Sequence, residues 1–450
     1  MPINIKWIET GTDSAITELS GLRQRLSPEG EVVSEAGRQK TMQVFGEAIP
    51  PSEVVKRICN DVSRFGLDSL LRYTRAIDGV DLTPETLRVP EAALRAAHAE
   101  VDPAFLQSVR RIRERIEHFQ RSIKLENVRV PVPGGYLEQR YRPLRRVGIC
   151  VPGGVAAYPS TVLMTVVPAQ VAGVREIALM APPTRFGSEN THVLATCYEL
   201  GVTEILRIGG AQGVAALAYG VEGIPRVDKI VGPGNLFVAL AKKHVFGAVS
   251  IDSIAGPSEV VVIVDSTTRP KFTALDLIAQ AEHAPGASIV VGWERQILEA
   301  IVLELDRLLE NLDRGNLARQ SLEEFGAVVL VRNREEACAL TDQIAPEHLH
   351  IATERPEELA ERILCAGAVF LGNYSPVALG DYAAGPSHVL PTSGTARFAS
   401  GLTVNDFLRG HSVLCFDREG MVALAEDVRQ LAESEGLTAH RDSVLARLEE

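Results

Sequence analysis

The C-terminal half of the sequence carries side chains whose types and spacing are those of a metal site. Gln280 and His283 lie three residues apart near the end of a predicted helix over 272–283, which Pro285 closes, so both side chains can point the same way. Asp381 follows the apolar run AVFLG in a segment rich in small, turn-forming residues. One further nitrogen would complete a zinc shell of nitrogen and oxygen ligands. The candidates for it are His388, His411 and His440.

A second pair, Glu347 and His348, has the residue types needed for proton transfer. Adjacent side chains diverge on a helix, but on an irregular loop after a helical segment both can face one cavity and supply two bases. Each of these signals also has a structural interpretation: a lone Gln-x-x-His is more often an ordinary pair than a metal site, and Glu-His can be a solvated pair. Spacing alone does not decide between them.

Glycine-rich segments follow several strand-like runs between residues 150 and 235. In open α/β sheets, ligands bind beyond the carboxyl ends of strands, where glycine lets backbone N–H groups approach a phosphate. These segments predict a nucleotide site, although none spells GxGxxG and each can also be a tight turn. They span residues 153–154, 209–213 and 232–235.

The elements that must position these residues alternate between strands and helices. The first 130 residues are helical in pattern, short β-rich runs alternate with helices from residue 145, and the last 50 residues return to helix. The sequence therefore predicts an α/β fold with two parallel sheets. The predicted parts are an N-terminal extension (1–30), a first α/β domain (31–144 with 261–400), a second, nucleotide-binding α/β domain (145–260) and a helical C-terminal tail (401–450).

The overall composition excludes several functions. The 450 residues carry a formal net charge of −12 and no basic run, which argues against a nucleic-acid partner. The most apolar long stretch, 161–174, is interrupted by Pro168 and Gln170 and is too short for a membrane span. The N-terminus shows no secretory signal, and the six cysteines lack CxxC spacing, so we expect a cytoplasmic protein with reduced thiols.

Five segments resemble one known family in order. They are GPGNLFVALAKKHVFGAVSIDSIAGPSEVVVI from residue 232, LIAQAEHAP, IAPEHLHI, GDYAAGPSHVLPTSGTARF and LTAHRDSV. Over about residues 30 to 450 the chain is similar to the histidinol dehydrogenases. The resemblance implies two Rossmann-like domains, a homodimer, one zinc ion per subunit, and NAD-dependent oxidation of histidinol to histidine through the aldehyde, consuming two NAD at the end of histidine biosynthesis.

The resemblance also implies a role for individual residues. As zinc ligands it implies Gln280, His283, Asp381 and, from the other subunit's tail, His440. As the acid/base pair it implies Glu347 and His348. As substrate-binding residues it implies the four zinc ligands and His348, together with Ser258, His388 and Glu435. Near NAD it implies Gln212, Asn235 and Cys150, the last at a position where the family usually has tyrosine.

Three other functions remain to be distinguished. The nearest is a paralogous zinc and NAD dehydrogenase acting on another small amino or hydroxy alcohol. Cys150 at a strand end could instead be the thiolate of an aldehyde dehydrogenase, although no base or cation stands beside it in the sequence. A zinc hydrolase or a non-catalytic scaffold would leave the glycine-rich strand ends and the Glu-His pair without a joint purpose.

Overall fold

The larger of two parallel sheets has six strands. The computed structural model describes residues 2–11, 17–18, 21, 35–154, 156–283, 286–312 and 315–449. Strands and helices are numbered in chain order. Across the sheet, all strands pair in parallel in the order β1 (Lys6–Glu9), β11 (Ala327–Leu330), β10 (Gly286–Gly292), β9 (Ser258–Val264), β12 (His348–Ala352) and β13 (Ala368–Leu371).

Both faces of this sheet are covered, because alternate residues of a strand point to opposite sides. Val260 and Val262 enter one core, whereas Val261 and Ile263 enter the other. The first core is closed by α10 (Pro270–Ala281), α11 (Arg295–Leu309) and α12 (Gly315–Phe325). The second is closed by α13 (Arg334–Ile344) and α14 (Pro356–Ala360).

The second parallel sheet has five strands and the strand order of a Rossmann half. Its spatial order is β6 (Glu204–Leu206), β5 (Glu176–Met180), β4 (Arg146–Cys150), β7 (Lys229–Val231) and β8 (Ser250–Ile251). The order reverses between β4 and β7, which makes the carboxyl ends of these two strands the switch point at which such sheets bind ligands. The predicted α/β fold with two parallel sheets is confirmed.

Helices from the N-terminal region pack on this five-stranded sheet. One face carries α2 (Pro51–Phe65), α3 (Leu67–Asp78), α8 (Gly210–Tyr219) and α9 (Leu236–Val245). The other carries α4 (Glu91–Glu100), α5 (Pro103–Ser122), α6 (Pro159–Ala172) and α7 (Thr191–Glu199). A further helix, α1 (Glu35–Phe45), precedes them.

This packing differs from the expected grouping of residues 31–144 with 261–400. The apolar stripe that predicted α2, including Val54 and Ile58, is buried against Met180 and Leu206 of the five-stranded sheet. Periodicity shows that a helix has a buried face, but it does not say which sheet buries that face.

A three-stranded antiparallel sheet joins the middle of the chain to its end. It contains β2 (Val128–Val132), β3 (Gly135–Pro143) and β14 (Leu408–Phe416), with β3 in the centre. The segment VRVPVPGGYLEQRY thus forms the hairpin of β2 and β3. The remaining elements are α15 (Val377–Tyr382), two 3-10 helices (Thr395–Arg397 and Val404–Phe407), α16 (Arg418–Ser434) and α17 (Thr438–Leu445).

Two predictions about the chain ends are wrong. The segment 1–30 is not only an extension, because its residues 6–9 form the edge strand β1. The tail 401–450 is not purely helical, because nine of its residues form β14, which contains His411. Within the described ranges, no helix combines the length and apolar character needed to cross a bilayer.

Candidate active site

The proton-transfer residues lie at the amino ends of two adjacent strands of the six-stranded sheet. Ser258 is the first residue of β9, His348 is the first residue of β12, and Glu347 immediately precedes it. The expectation of an irregular loop around Glu347 and His348 is wrong, because His348 is already paired in register with Val260. These groups also lie at the edge opposite to the carboxyl ends where open sheets usually bind ligands.

The Glu347 carboxylate is buried and held in one orientation. The Ser258 hydroxyl donates to its Oε2 over 2.6 Å, and the backbone N–H of Glu259 donates to the same oxygen over 3.0 Å. Burial raises the pKa of Glu347, against the opposing effects of His348 and these two donors. A carboxyl group with a raised pKa and a fixed position is suited to accept and return a proton near neutral pH.

The His348 ring is fixed by its neighbour strand. Its Nδ1 lies 3.1 Å from the carbonyl oxygen of Glu259, to which only an Nδ1–H can donate, so in the neutral ring Nε2 carries the free lone pair. Nε2 lies 3.5 Å from Asp381 Oδ1 and makes no hydrogen bond within the described part of the chain. Burial lowers the pKa of His348, but the carboxylates of Glu347 and Asp381 outweigh it and raise the pKa to about 9.

Asp381 connects this pair to a neighbouring cavity. It lies in α15, and its backbone carbonyl accepts from His388 Nδ1 over 2.8 Å. The other ring nitrogen, Nε2, lies 3.3 Å from the Thr161 hydroxyl, so both nitrogens of His388 are engaged within the chain. Burial opposes ionisation of Asp381, yet the surrounding imidazoles hold its pKa below the usual range, whereas burial lowers the pKa of His388. His388 thus contacts the Asp381 backbone as a neutral ring.

The cavity has a volume of about 410 Å³ and lies between the two parallel sheets. Its walls come from α5, the segment before α6, the end of α10, and α15. Gln280, His283 and Asp381 all line it. The predicted helix over 272–283 ends at Ala281, so His283 lies two residues beyond it, and Pro285 lies outside the described residues.

The donor set in this cavity suits a zinc ion but is incomplete. Gln280 is buried and lines the cavity, its Nε2 has no hydrogen-bond partner among the described residues, and its Oε1 is the amide atom that could bind a metal ion. Across the described ranges, no three His, Cys, Asp or Glu side chains are arranged to hold a metal. An amide oxygen, an imidazole and a carboxylate need one more ligand for tetrahedral zinc. Glu435 and His440 are exposed in the C-terminal helices and do not line the cavity.

The residues expected near NAD lie on the five-stranded sheet. Asn235 is the N-cap of α9, where its Oδ1 accepts from the Val238 N–H over 3.1 Å. Gln212 is fully buried in α8 and donates to Asp78 over 3.1 Å. A Cβ at Gly232, where φ is 103°, would collide with the Cys150 carbonyl, so the backbones at the switch point pack without space for a side chain.

The thiol of Cys150 is not placed as a nucleophile. It is 2% exposed and packs in the core beneath α9. Burial raises its pKa to about 12, with the nearby Lys242 and Asp252 having smaller and opposite effects. A thiol in this environment stays protonated at neutral pH, which argues against the aldehyde dehydrogenase mechanism.

Several residues of the site were missed in the sequence. Thr161 contacts His388, and Tyr158 and Tyr382 line the cavity. Asp276 also lines it, and its Oδ2 lies 3.0 Å from Nδ1 of the buried His350. The alternating polar and apolar residues of His-Leu-His-Ile indicate a strand. Such a pattern usually means that the polar side chains face solvent, whereas here His350 faces Asp276 on a helix.

Comparisons with known proteins show the family of this chain. The family model for histidinol dehydrogenase matches residues 47–448. The chain belongs to the histidinol dehydrogenase family. It is 57% identical to a histidinol dehydrogenase of Rhodopirellula baltica, covering 98% of this chain and 96% of that protein, and 46% identical to one of Syntrophotalea carbinolica, covering 90% and 95%. The crystal structure of histidinol dehydrogenase from Elizabethkingia anophelis superposes with a TM-score of 0.89 at 32% identity, covering 100% of this chain and 99% of that one. Membership of this family makes the chain an oxidoreductase.

Proposed function

We propose that this protein oxidises histidinol to histidine in two NAD-dependent steps at a zinc-containing site. The observation that carries the proposal is the position of Asp381, which lines the cavity with Gln280 and His283 and lies 3.5 Å from Nε2 of His348, the neighbour of Glu347. A buried base pair beside an N/O donor set is a suitable arrangement for removing protons from an alcohol that a metal holds in place.

Gln280, His283 and Asp381 would hold the zinc, with His440 of the partner subunit completing the shell. When bound, zinc would supply a Lewis acid that anchors the amine and imidazole of the substrate. Asp381 is fixed for this purpose through its backbone by His388, and Gln280 through its place in the last turn of α10. The residues present therefore suit the ion.

The dinucleotide would bind across the switch point between β4 and β7. NAD, when bound, would accept the hydride of each oxidation. Asn235 uses Oδ1 as the helix cap, which leaves its amide N–H groups for the cofactor. Two sheet edges border the cavity. The carboxyl edge of the five-stranded sheet reaches it through the segment before α6, and the amino edge of the six-stranded sheet reaches it through α10. Cofactor and substrate thus approach from opposite walls.

His348 would serve as the base for the first oxidation. Its Nδ1–H is held by the Glu259 carbonyl, so the ring, once it has released its Nε2 proton, presents Nε2 to the substrate hydroxyl and takes its proton. The nearby carboxylates of Glu347 and Asp381 stabilise the imidazolium that results, as the raised pKa of His348 indicates.

Glu347 would serve in the second oxidation, in which water adds to the aldehyde. Oriented by Ser258 and Glu259, its carboxylate takes a proton from the water as the water adds to the aldehyde carbon, and the His348 imidazolium left by the first oxidation returns its proton to the carbonyl oxygen, which yields the hydrate. His348 is then neutral and removes a hydroxyl proton again as the second hydride leaves. A buried, enclosed site keeps the reactive amino aldehyde from escaping between the two steps.

A homodimer would bring Glu435 and His440 to the site. The antiparallel sheet and α16 expose apolar side chains that monomers rarely leave in water as a contiguous group. These are Val128, Val130, Leu137, Leu414, Leu424, Val428 and Leu431. Val130, Leu137 and Leu414 are cross-strand neighbours and form one continuous face.

Subunit complementation tests the shared site. The variants Gln280→Ala and His440→Ala should each be inactive alone, because each lacks one zinc ligand at every site. In a mixed dimer, one site has the wild-type residue at both positions, so random reassortment should restore about a quarter of wild-type activity. A mixture that stays inactive after proven subunit exchange would contradict the shared site.

The reaction itself is tested with purified protein, histidinol and NAD, identifying histidine by mass spectrometry. We expect chelation to abolish turnover and zinc to restore it. His348→Gln should slow the first oxidation by about 100-fold or more, the usual contribution of a positioned base. No histidinol-dependent NADH would refute the proposal, and faster oxidation of a different amino alcohol would identify a paralogous dehydrogenase instead.

A further inference from the structure

A buried ion pair lies directly beneath the loop 232–235 that follows β7. Lys242 in α9 and Asp252 after β8 contact each other, and their side chains are only 2% and 4% exposed. Lys242 Nζ donates to the carbonyl oxygen of Gly232 over 3.0 Å, and the Gly232 N–H donates to Asp252 Oδ2 over 2.7 Å. Both backbone groups of one glycine are therefore held by opposite charges from two different segments.

Such a pair is costly unless its geometry serves a purpose. Burying two ions costs several kcal/mol each before their attraction is counted, and an apolar pair of similar volume would often be as stable. Here the charges fix Gly232 in a left-handed conformation, φ 103°, against the Cys150 carbonyl. The backbone N–H of Ser253 donates to the second oxygen of Asp252 over 2.6 Å, which fixes the carboxylate in turn.

A second buried lysine, Lys229, lies at the opposite end of β7 from the pair of Lys242 and Asp252. Lys229 begins β7 at the amino edge and contacts the carbonyl and carboxylate of Asp406, which fastens the segment leading into β14. Lys242 contacts Gly232, which follows β7 at the carboxyl edge of the sheet. Gly232 is three residues before Asn235, the N-cap of α9. The two buried lysines thus hold opposite ends of one strand.

We propose that Lys242 and Asp252 are positioning residues that keep the loop 232–235 in the conformation that receives the dinucleotide. The inference rests on the proposed function, since it presumes NAD at this edge. Without the pair, Gly232 and the residues up to Asn235 would sample other conformations, and the apparent affinity would fall by the fraction of molecules that remain competent. Neither side chain needs to touch the cofactor for this effect.

The test compares Lys242→Met with Lys229→Met, each of which removes a buried ammonium group that holds one end of β7. NADH binding is measured directly by fluorescence titration, alongside zinc content and urea unfolding. If a tenth of the variant molecules keep the competent loop, Lys242→Met should bind NADH about tenfold more weakly. The KM for NAD should rise in parallel while the KM for histidinol and the zinc content stay at wild-type values. Lys229→Met should lose stability without this change in NADH binding.

Asp252→Asn is the second variant, which carries the test if Lys242→Met does not fold. Its side-chain oxygen can still accept from Gly232, but the charge that holds Lys242 is gone, so NADH affinity should again fall. NADH affinity for the Lys242 or Asp252 variant equal to that of Lys229→Met would overturn the inference. Wild-type protein that binds no NADH would instead refute the proposed function, so the two failures are distinguishable.

Discussion

Ser258→Ala tests whether the orientation and pKa of Glu347 matter for the reaction, because this substitution removes one of the two donors to Glu347 Oε2. A hydrogen bond to a charged group contributes about 1.5 to 3 kcal/mol. Since about 1.4 kcal/mol corresponds to tenfold in rate, aldehyde oxidation should slow by about 10- to 100-fold if the carboxylate must be oriented to activate water. The Ser258 hydroxyl also counters the effect of burial on the pKa of Glu347. Its loss should raise that pKa further.

The assay supplies histidinol and the aldehyde separately and follows NADH across a range of pH. Because Glu347 acts in its ionised form, a higher pKa moves the acid limb of aldehyde oxidation to higher pH, while KM changes little. The matched control is Ser288→Ala, which removes a buried hydroxyl on the neighbouring strand β10 that donates to the Leu277 carbonyl of α10. An unchanged pH profile with an increase in KM alone would refute the reasoning and assign Ser258 to substrate contact.

Three further predictions concern the metal, the Cys150 thiol and the ion pairs of Glu199 between helices α4, α5 and α7. Gln280→Ala should lower zinc affinity by at least about tenfold, because losing even a residue that hydrogen-bonds to a zinc ligand lowers affinity by about 10- to 100-fold. Metal analysis that shows full zinc content after dialysis would contradict this prediction. Cys150 should resist iodoacetamide at pH 7 in the folded protein and react only in urea, because burial raises its pKa to about 12; labelling that inactivates native enzyme would revive the thiolate mechanism. Hydrogen bonds from Arg110, together with His98, lower the pKa of Glu199 to about 2, so its stabilisation is present above the unfolded value and is lost as the pH falls toward 2. Glu199→Gln should reduce the free energy of unfolding at pH 7 by about 1 kcal/mol, because Arg110 is half exposed and solvent screens the pair, and equal urea midpoints would contradict this prediction.

The sequence predicted the fold class because its strands are apolar on both sides. Runs such as EVVVIVD and SIVVGW have no polar alternation, which is typical of parallel strands covered by helices on both faces. The chain ends were predicted less well. Strand β1 has only four residues and pairs with β11, more than 300 residues away in sequence, and no local pattern encodes such a pairing. Strand β14, LRGHSVLCF, lies on an edge and shows neither strict alternation nor an apolar run along its whole length, which makes its signal weaker.

The candidate site was predicted by residue type better than by position. Asp381 follows a strand, as expected, but α15 carries it back to the amino edge of the sheet, where it meets His348. The proposed site uses the carboxyl ends of the five-stranded sheet and the amino ends of the six-stranded one, so the carboxyl-end rule alone would not have placed it. The buried contacts of His388 with Thr161 and of Gln212 with Asp78 depend on helices that are distant in sequence. Only the folded chain brings those groups together.

The ratio of NADH formed to histidinol consumed tests the proposed function most directly. With NAD in excess and histidinol limiting, the reaction should yield two NADH and one histidine per histidinol, because Glu347 and His348 provide for both oxidations in one site. One NADH per histidinol, with the aldehyde accumulating, would contradict the two-step mechanism and leave a simple alcohol dehydrogenase. No NADH at all would contradict the function itself.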